Sequence, residues 1–373
     1  MIGGVDRQRM VIVGGGIVGT MHALEATGRG YEVVQLEREV APRGATVRNF
    51  GLVWVSGRAA GRELAVAARA RQRWEEIAGL VPGTGFRANG SLTVATSEEE
   101  WEVLVEAAEL PDATERGFEL LDAEAARRHN PALTTTVRGA LLCRRDAAVE
   151  SRLVLGVLRQ WLAERGGYRF LPGREVVDIA ERSVADSTGE VHGADRVVLC
   201  CGAWHSGVLG EILADAPLRR VRLQMLETER YAPELTTSLA DGDSLRYYPA
   251  YRELGLGRLG AQTEVATHWA AQLLLVQRRH GGLTIGDTHA RTEPFPFDTD
   301  EAPYAHLLAA ASALLEAPLP PVERRWAGIY SEVTEDAPDI YWRQQLSAGV
   351  ELVTGAGGRG MTMAPAIAEE TFL

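Results

Sequence analysis

Cysteine is nearly missing from this chain, with three residues, Cys143, Cys200 and Cys201, in 373. Three thiols cannot all pair, and sequence neighbours rarely bridge each other. A disulfide framework is therefore excluded and a reducing, cytoplasmic setting is expected. Cys200 and Cys201 end the apolar run Val197-Val198-Leu199, where buried structural thiols are the natural reading. Positive charge is also short: 39 Lys and Arg against 51 Asp and Glu leave a net charge of −12. Such a surplus repels phosphate backbones and argues against nucleic acid as a partner. An anionic substrate then needs a local cluster of Arg or His set against an acidic exterior. Long apolar runs are absent. The longest, residues 10–19, is short and rich in glycine, so no membrane span is expected. The first ten residues carry Asp6, Arg7 and Arg9 but no apolar stretch of a secretory leader. Asp287 and His289 offer two metal ligands without a third, so no metal is expected. Repeats and low-complexity tracts are missing as well.

What is present is ordinary globular material, 46% hydrophobic and 24% charged, and a length of 373 that suggests two domains. Residues 9–13 read as a short apolar strand, 17–27 as a helix and 33–37 as a second strand, a β–α–β unit within thirty residues. Residues 63–78 read as an exposed Ala/Arg-rich helix, and residues 90–95 alternate as a strand. Ser97 caps a helix whose first turn holds Glu98, Glu99 and Glu100. Ser151 is expected to start a helix reaching about residue 165. Residues 189–202 suggest a strand pair, and 221–286 a strand-rich stretch carrying Tyr247, Tyr248 and Tyr251. A helix over 302–315 is broken by Pro318, Pro320 and Pro321. The end reads as a strand at 350–354, a glycine loop and a helix from about 364.

The spacing Gly14-x-Gly16-x-x-Gly19 falls at the junction of that first strand and helix. Gly14 permits the tight turn, Gly16 lets backbone approach a pyrophosphate, and Gly19 lets helix and strand pack closely. The helix N-terminus offers unpaired N–H groups and a positive dipole end to the phosphates. Glu37 closes the second strand, where its carboxylate can accept both ribose hydroxyls of an adenosine and would repel a 2′-phosphate. Arg38 follows it and tempers that exclusion. A second glycine-rich loop, Gly355-Ala356-Gly357-Gly358-Arg359-Gly360-Met361, lies far along the chain. It could set N–H groups against the pyrimidine end of a flavin, which favours FAD over NAD.

Four segments resemble the D-amino-acid oxidase superfamily of flavoproteins, which includes glycine and sarcosine oxidases. They are residues 11–19, with Ile17 and Val18 between the motif glycines; 194–204, with Gly202 and Trp204; 325–330, with Gly328 and Tyr330; and 354–365, with Gly357, Gly358, Arg359, Gly360, Met361 and Thr362. The resemblance implies an α/β fold in which a Rossmann-type FAD-binding domain (1–85, 150–222 and 325–373) carries a discontinuous antiparallel-sheet substrate domain (86–149 and 223–324). It implies FAD held by the glycines of those segments, by Glu37 and Arg38, and by adenine contacts through the backbone of Val176 and Val177. Arg48-Asn49-Phe50-Gly51, residues 245–251 and residues 284–289 are similar to a subgroup of amine oxidoreductases associated with phosphonate breakdown. Arg48, Asn49 and Gly51 are expected on the flavin side. Three departures are informative. Tyr330 stands where amino-acid oxidases place a carboxylate-binding Arg. Gly328 stands where sarcosine oxidases attach flavin through Cys, so FAD is expected to be noncovalent. Thr284 stands on the strand where those enzymes keep an oxygen-activating Lys, so the choice between oxygen and another acceptor is left open.

The activity so implied is oxidation of a small amine at CH–NH or CH–NH2, an aminophosphonate or its N-methyl derivative being one candidate. The amine must lose its ammonium proton before hydride can leave, and an apolar pocket lowers its pKa. Trp54, Tyr248, Tyr251 and Tyr330 are candidate walls, each also a natural core residue. His289 and, less so, His268 are candidate proton acceptors, and Arg246, Arg278 and Arg359 candidate holders of an anionic end, with solvent exposure the competing role for Arg278. Three other readings compete: an oxidase of the glycine, sarcosine or D-amino-acid type; an NAD-dependent dehydrogenase, whose protein would be colourless; and a non-catalytic flavin binder, whose yellow colour no amine would bleach.

Overall fold

The computed structural model describes residues 7–373, so the leader reading of residues 1–6 lies outside the described residues. The fold is a mixed α/β one built on two large sheets. In the first, the strands lie in the order Trp342–Ser347, Val350–Thr354, Arg196–Leu199, Arg9–Val13, Glu32–Glu37, Tyr168–Pro172. All neighbours are parallel except the edge strand Trp342–Ser347. Met10, Val11 and Ile12 of the central strand are buried, as a strand covered by helices requires. The helix Ile17–Gly28 packs Met21, Ala23 and Ala26 inward and crosses back to Glu32–Glu37. Strand ends at Val13, Glu37, Leu199 and Thr354 therefore meet on one edge of the sheet, the carboxyl edge where α/β sheets bind ligands.

The second sheet has eight strands, ordered Val322–Val333, Leu218–Arg230, Gly282–Gly286, Leu274–Gln277, Ser238–Asp241, Ser91–Ala95, Gly139–Cys143, Phe118–Asp122. It is antiparallel except between Ser238–Asp241 and Ser91–Ala95. One face buries Leu226, Leu239, Leu275 and Ile285 against Tyr304, Leu307 and Ala311 of the helix Glu301–Leu314. The other face carries Leu223, Met225 and Tyr330 toward Phe50, Trp54 and Tyr248. We propose that the two sheets mark the two expected domains. The long paired strands Leu218–Arg230 and Val322–Val333 run across the positions near 222 and 325 where the boundaries are expected, so the chain passes between sheets earlier and later than the sequence suggests.

Other differences have identifiable causes. The helix Arg62–Leu80 is not an exposed one: Leu64, Ala67, Ala70, Trp74 and Ile77 are buried, and arginines on its outer face hide that stripe in the composition. Ser91–Ala95 is buried at all five positions because other strands and helices cover both its faces, so its alternation is not an inside–outside pattern. The helix expected from Ser151 begins at Val154. The segments near 191 and 198 belong to different sheets, Val191–Gly193 to a small three-stranded one. Tyr247 caps the short 3-10 turn Asp243–Arg246 and Tyr251 ends another, Pro249–Tyr251, so neither lies in a strand. The last helix is Gly360–Glu370, starting earlier than expected although Pro365 lies inside it. Proline lacks the N–H that would reach the carbonyl four residues back. The indole Nε1 of buried Trp74 supplies it, donating to Met361 O at 3.0 Å. The capping box at Ser97 and Glu100 is present as expected.

Candidate functional site

A channel of about 1580 Å3 opens on the carboxyl edge of the first sheet and runs beneath the second. At its nucleotide end the glycines are there for steric reasons. A Cβ on Gly14 would lie 2.2 Å from Cys200 O, at a φ of +110° that side chains rarely adopt, and one on Gly19 would lie 2.1 Å from Gly14 O. Gly16 caps the helix with no side chain, so its face toward the channel stays open. The amides of Gly16 and Val18 make no hydrogen bond among the described residues, while Thr46 Oγ1 accepts from Ile17 N at 3.0 Å. This is a helix N-terminus built for an anion. Glu37 is held from both sides: Oε2 accepts from Gly15 N at 2.6 Å and Oε1 from Glu39 N at 2.9 Å. Arg38 lies 3.5 Å over the ring of Trp204, both on the channel wall with Gly202 and Val176.

Farther along, Arg48 Nη1 donates to Ala327 O at 2.6 Å, and Trp326 Nε1 donates to Arg48 O at 3.2 Å. Burial lowers the Arg48 pKa from its ordinary value, with Arg43 and Arg152 adding to the effect. Asn49 shapes the adjoining loop, donating to Ala45 O and accepting from Gly51 N at 2.6 Å. Gly328 lines the same stretch, and a Cβ there would press on Arg48 Cβ at 3.2 Å. The loop of Gly357, Gly358 and Arg359 leads into Gly360 and Met361, all on the channel. Three residues of the channel wall also bury polar atoms without partners: Trp54 Nε1, Tyr330 Oη and Gln272 Oε1. Orphaned groups of this kind are rare unless a ligand completes them. The glycine cradle, the open helix N-terminus and these orphans together fit an FAD.

On the second-sheet side, Trp54, Tyr247, Tyr248 and Tyr330 wall the channel. Trp54 stacks on Tyr248 at 5.8 Å, and Tyr247 stacks on His289 at 4.3 Å. Burial pushes the phenols of Tyr248 and Tyr330 well above their usual pKa, so both stay protonated donors. His289 Nδ1 lies 3.0 Å from Ala270 O and Nε2 lies 3.7 Å from Asp287 Oδ2. Gln272 Nε2 donates to Asp287 Oδ1 at 3.0 Å. Burial raises the Asp287 pKa, against the opposing pull of His289 and Gln272.

Several expected residues sit elsewhere. Val177 is 52% exposed and off the channel, whose wall here is Val176 and Ile179. Gly51 is a packing glycine, its Cβ position 2.1 Å from Val149 O. Thr362 is buried behind the wall, where its Oγ1 accepts from Trp54 N at 2.9 Å and so sets that residue's position. Arg246 borders the channel, but its guanidinium is engaged: Nε donates to Asp243 at 2.7 Å and Nη2 to Gly260 O at 2.6 Å. Arg278 is buried rather than exposed, donating to Thr284 Oγ1 at 2.8 Å. His268 is exposed against Trp269, and Tyr251 is packed in the core behind Tyr248. Sequence reasoning missed Arg58, Glu63 and Gln272, which line the channel, and Arg159, which donates to Gly15 O and stacks 3.9 Å from Phe170. The residue before Arg58 is the one faint signal, a glycine that lets the Tyr248 ring come to 2.2 Å from where its Cβ would be.

Comparison with known proteins agrees with this geometry. A family model described as FAD dependent oxidoreductase, DAO, matches residues 9–372. Glycine oxidase from Bacillus cereus ATCC 14579 superposes with a TM-score of 0.78 at 19% identity, over 98% of this chain and 93% of its own. Iminodiacetate oxidase from Chelativorans sp. BNC1 gives a TM-score of 0.74 at 18% identity, over 97% and 93%. A subunit of the opine oxidase of Agrobacterium tumefaciens (strain Ach5) is 28% identical over 241 residues, 59% of this chain. That match covers 63% of the length of the relative. Among the described residues no helix is long and apolar enough to cross a membrane.

Proposed function

This chain belongs to the DAO family of FAD dependent oxidoreductases, and on that premise we propose that it oxidises a small amine at a CH–NH or CH–NH2 bond, with FAD held noncovalently. The finer reading, following the subgroup likeness, is an aminophosphonate or its N-methyl derivative. Relatives named for glycine, iminodiacetate and opines support an amino or imino substrate. The observation that carries the reading is the set of partnerless buried polar groups on Trp54, Tyr330 and Gln272, residues that line one channel together with Asp287.

Gly14, Gly16 and the amides of Gly16 and Val18 would hold the pyrophosphate, Glu37 the ribose, and Arg48 with residues 357–361 the flavin end. When bound, FAD supplies the hydride acceptor. The chain's own residues manage the proton and the water. An alkylamine with a pKa near 10 needs about 4 kcal/mol to deprotonate at pH 7. Trp54, Tyr248 and Tyr330 exclude water around the amine and lower that barrier. Asp287 and His289 form an acceptor pair: His289 Nδ1 is anchored on Ala270 O, which leaves Nε2 toward Asp287. Substrate loses a hydride and a proton to become an imine, and water then hydrolyses the imine to a carbonyl compound and the free amine or ammonia.

The test is anaerobic. Purified yellow protein is mixed in turn with glycine, sarcosine, D-amino acids, 2-aminoethylphosphonate and its N-methyl and hydroxy forms, and flavin absorbance near 450 nm is followed. Bleaching by one of these supports the reading and names the substrate; bleaching by none overturns it. Admitting oxygen and assaying peroxide then separates oxygen from another acceptor.

A further inference from the structure

We infer that Arg58 is the anion-binding residue of the substrate end, forming with Arg359 and Glu63 a subsite for the oxyanion of an anionic amine, a carboxylate or a phosphonate. The inference rests on the amine-oxidation reading and adds to it which charge the substrate carries and which residue receives it.

Arg58 is 7% exposed, yet only part of its guanidinium is engaged. Nε donates to Trp54 O at 2.9 Å, which fixes the plane of the fork. Nη1 and Nη2 make no hydrogen bond among the described residues, and Arg58 lies on the channel wall. The acid beside it does not complete it. Glu63 Oε1 stands 3.7 Å from Arg58 Nη1, beyond hydrogen-bond reach, and has no other partner. Glu63 Oε2 stands 3.7 Å from Arg359 Nη1 on the far side. A buried charge with unfilled donors is costly, and such groups are normally paired. Two guanidinium groups flank one carboxylate, so the cluster carries a net charge of about +1 in a chain of net charge −12.

The setting selects an oxyanion. A guanidinium fork fixed at Nε presents two parallel donors, the match to a carboxylate or phosphonate edge. The chain contains no lysine, so no ammonium competes for the role. Tyr330 occupies its strand with a phenol and Arg246 is tied to Asp243, while Arg58 keeps an open fork on the wall it shares with Tyr248. Burial lowers the Arg58 pKa, and Glu63 opposes that effect, which keeps the charge in place.

The test reads binding on the FAD-loaded protein. Acetate and methylphosphonate are titrated separately against the visible flavin spectrum, with calorimetry alongside. Wild type is expected to bind at least one. Arg58→Ala should weaken that binding roughly 10- to 150-fold, the value of a charge-assisted hydrogen-bonded contact, and Arg58→Lys should recover part of it. Glu63→Gln removes the competing carboxylate and should tighten binding by about tenfold. Tighter binding of acetate makes the end a carboxylate, and of methylphosphonate a phosphonate. The inference is overturned if wild type binds neither anion, if Arg58→Ala keeps wild-type affinity for both, or if it loses FAD rather than the anion, which would make Arg58 a cofactor residue. Where Arg58→Ala does not fold, unchanged or weaker anion binding in Glu63→Gln overturns it. Arg58-dependent anion binding in a protein whose flavin no amine bleaches leaves this subsite standing and removes the amine-oxidation reading.

Discussion

Substituting Gly14 and Gly16 separately by alanine should divide the fold's need for glycine from the cofactor's. At Gly14 the new Cβ would sit 2.2 Å from Cys200 O and 3.0 Å from Cys200 C. That carbonyl cannot retreat easily, because Cys200 N donates to Val13 O at 2.7 Å within the parallel ladder. The φ of +110° adds backbone strain. Strain of about 1–3 kcal/mol and overpacking of about 1–3 kcal/mol together make roughly 2–6 kcal/mol. Unfolding entropy near 2.1 cal/mol/K per residue implies roughly 0.8 kcal/mol/K for 373 residues, so Tm should fall by roughly 3–8 °C. Gly16 is different. Its φ of −74° suits any residue, and a Cβ would meet only Thr46 Oγ1, at 3.3 Å. Gly16→Ala should therefore leave the Tm of the flavin-free protein within about 1 °C while raising the Kd for FAD at least tenfold, about 1.4 kcal/mol. Both quantities come from thermal melts and from quenching of FAD fluorescence on titration into flavin-free protein. A Gly14→Ala protein that melts with wild type, or a Gly16→Ala protein with wild-type FAD affinity, refutes the steric account of the cradle.

Three further outcomes follow from buried ionisable groups. Asp287→Asn should lower kcat/KM at neutral pH by roughly 10²–10⁴-fold and remove the acidic limb of the pH profile, since wild type gains activity as pH rises through the raised Asp287 pKa; a profile with its limb intact rejects Asp287 as proton acceptor. Asp241 and His22 should pull stability in opposite directions. Burial pushes Asp241 up to about 7, so the unfolded chain ionises first and stability falls as pH rises from about 4 to 7; Asp241→Asn, which keeps an oxygen for Ser244 N, should be the more stable variant at pH 8. Burial lowers His22 to about 4, so stability is present above about 6.5 and is lost as pH falls toward 4, a slope that His22→Gln should flatten in urea melts at stepped pH. Slopes unchanged in either variant would reject the assignment.

The βα unit at the start of the chain was readable because its constraints are local. Gly19 answers to Gly14 O within one turn, and Gly14 needs a positive φ that residue type alone satisfies. The start of the last helix was not readable, because the partner that makes Pro365 tolerable is Trp74, far away in sequence. The second-sheet side of the channel was legible only as a set of aromatics and His289. Gln272, Asp287 and Glu63 arrive on three separate elements, and none is an unusual residue in its own segment.

The contrast between Arg246 and Arg58 indicates what kind of signal sequence reading can still extract. Both border the channel, and only one has a free fork. Asp243 lies three residues before Arg246, a spacing that brings the two side chains together on one turn, and the pair forms at 2.7 Å. Glu63 lies five residues after Arg58, the chain between them turns at Gly61, and the pair stays at 3.7 Å. An arginine with an acid at a helical spacing is already answered locally. One whose nearest acid is out of register is left to be answered from elsewhere: by a distant part of the fold, as Thr284 and Asn49 answer the buried Arg278, or, where the fork stays open on a channel as at Arg58, by a ligand.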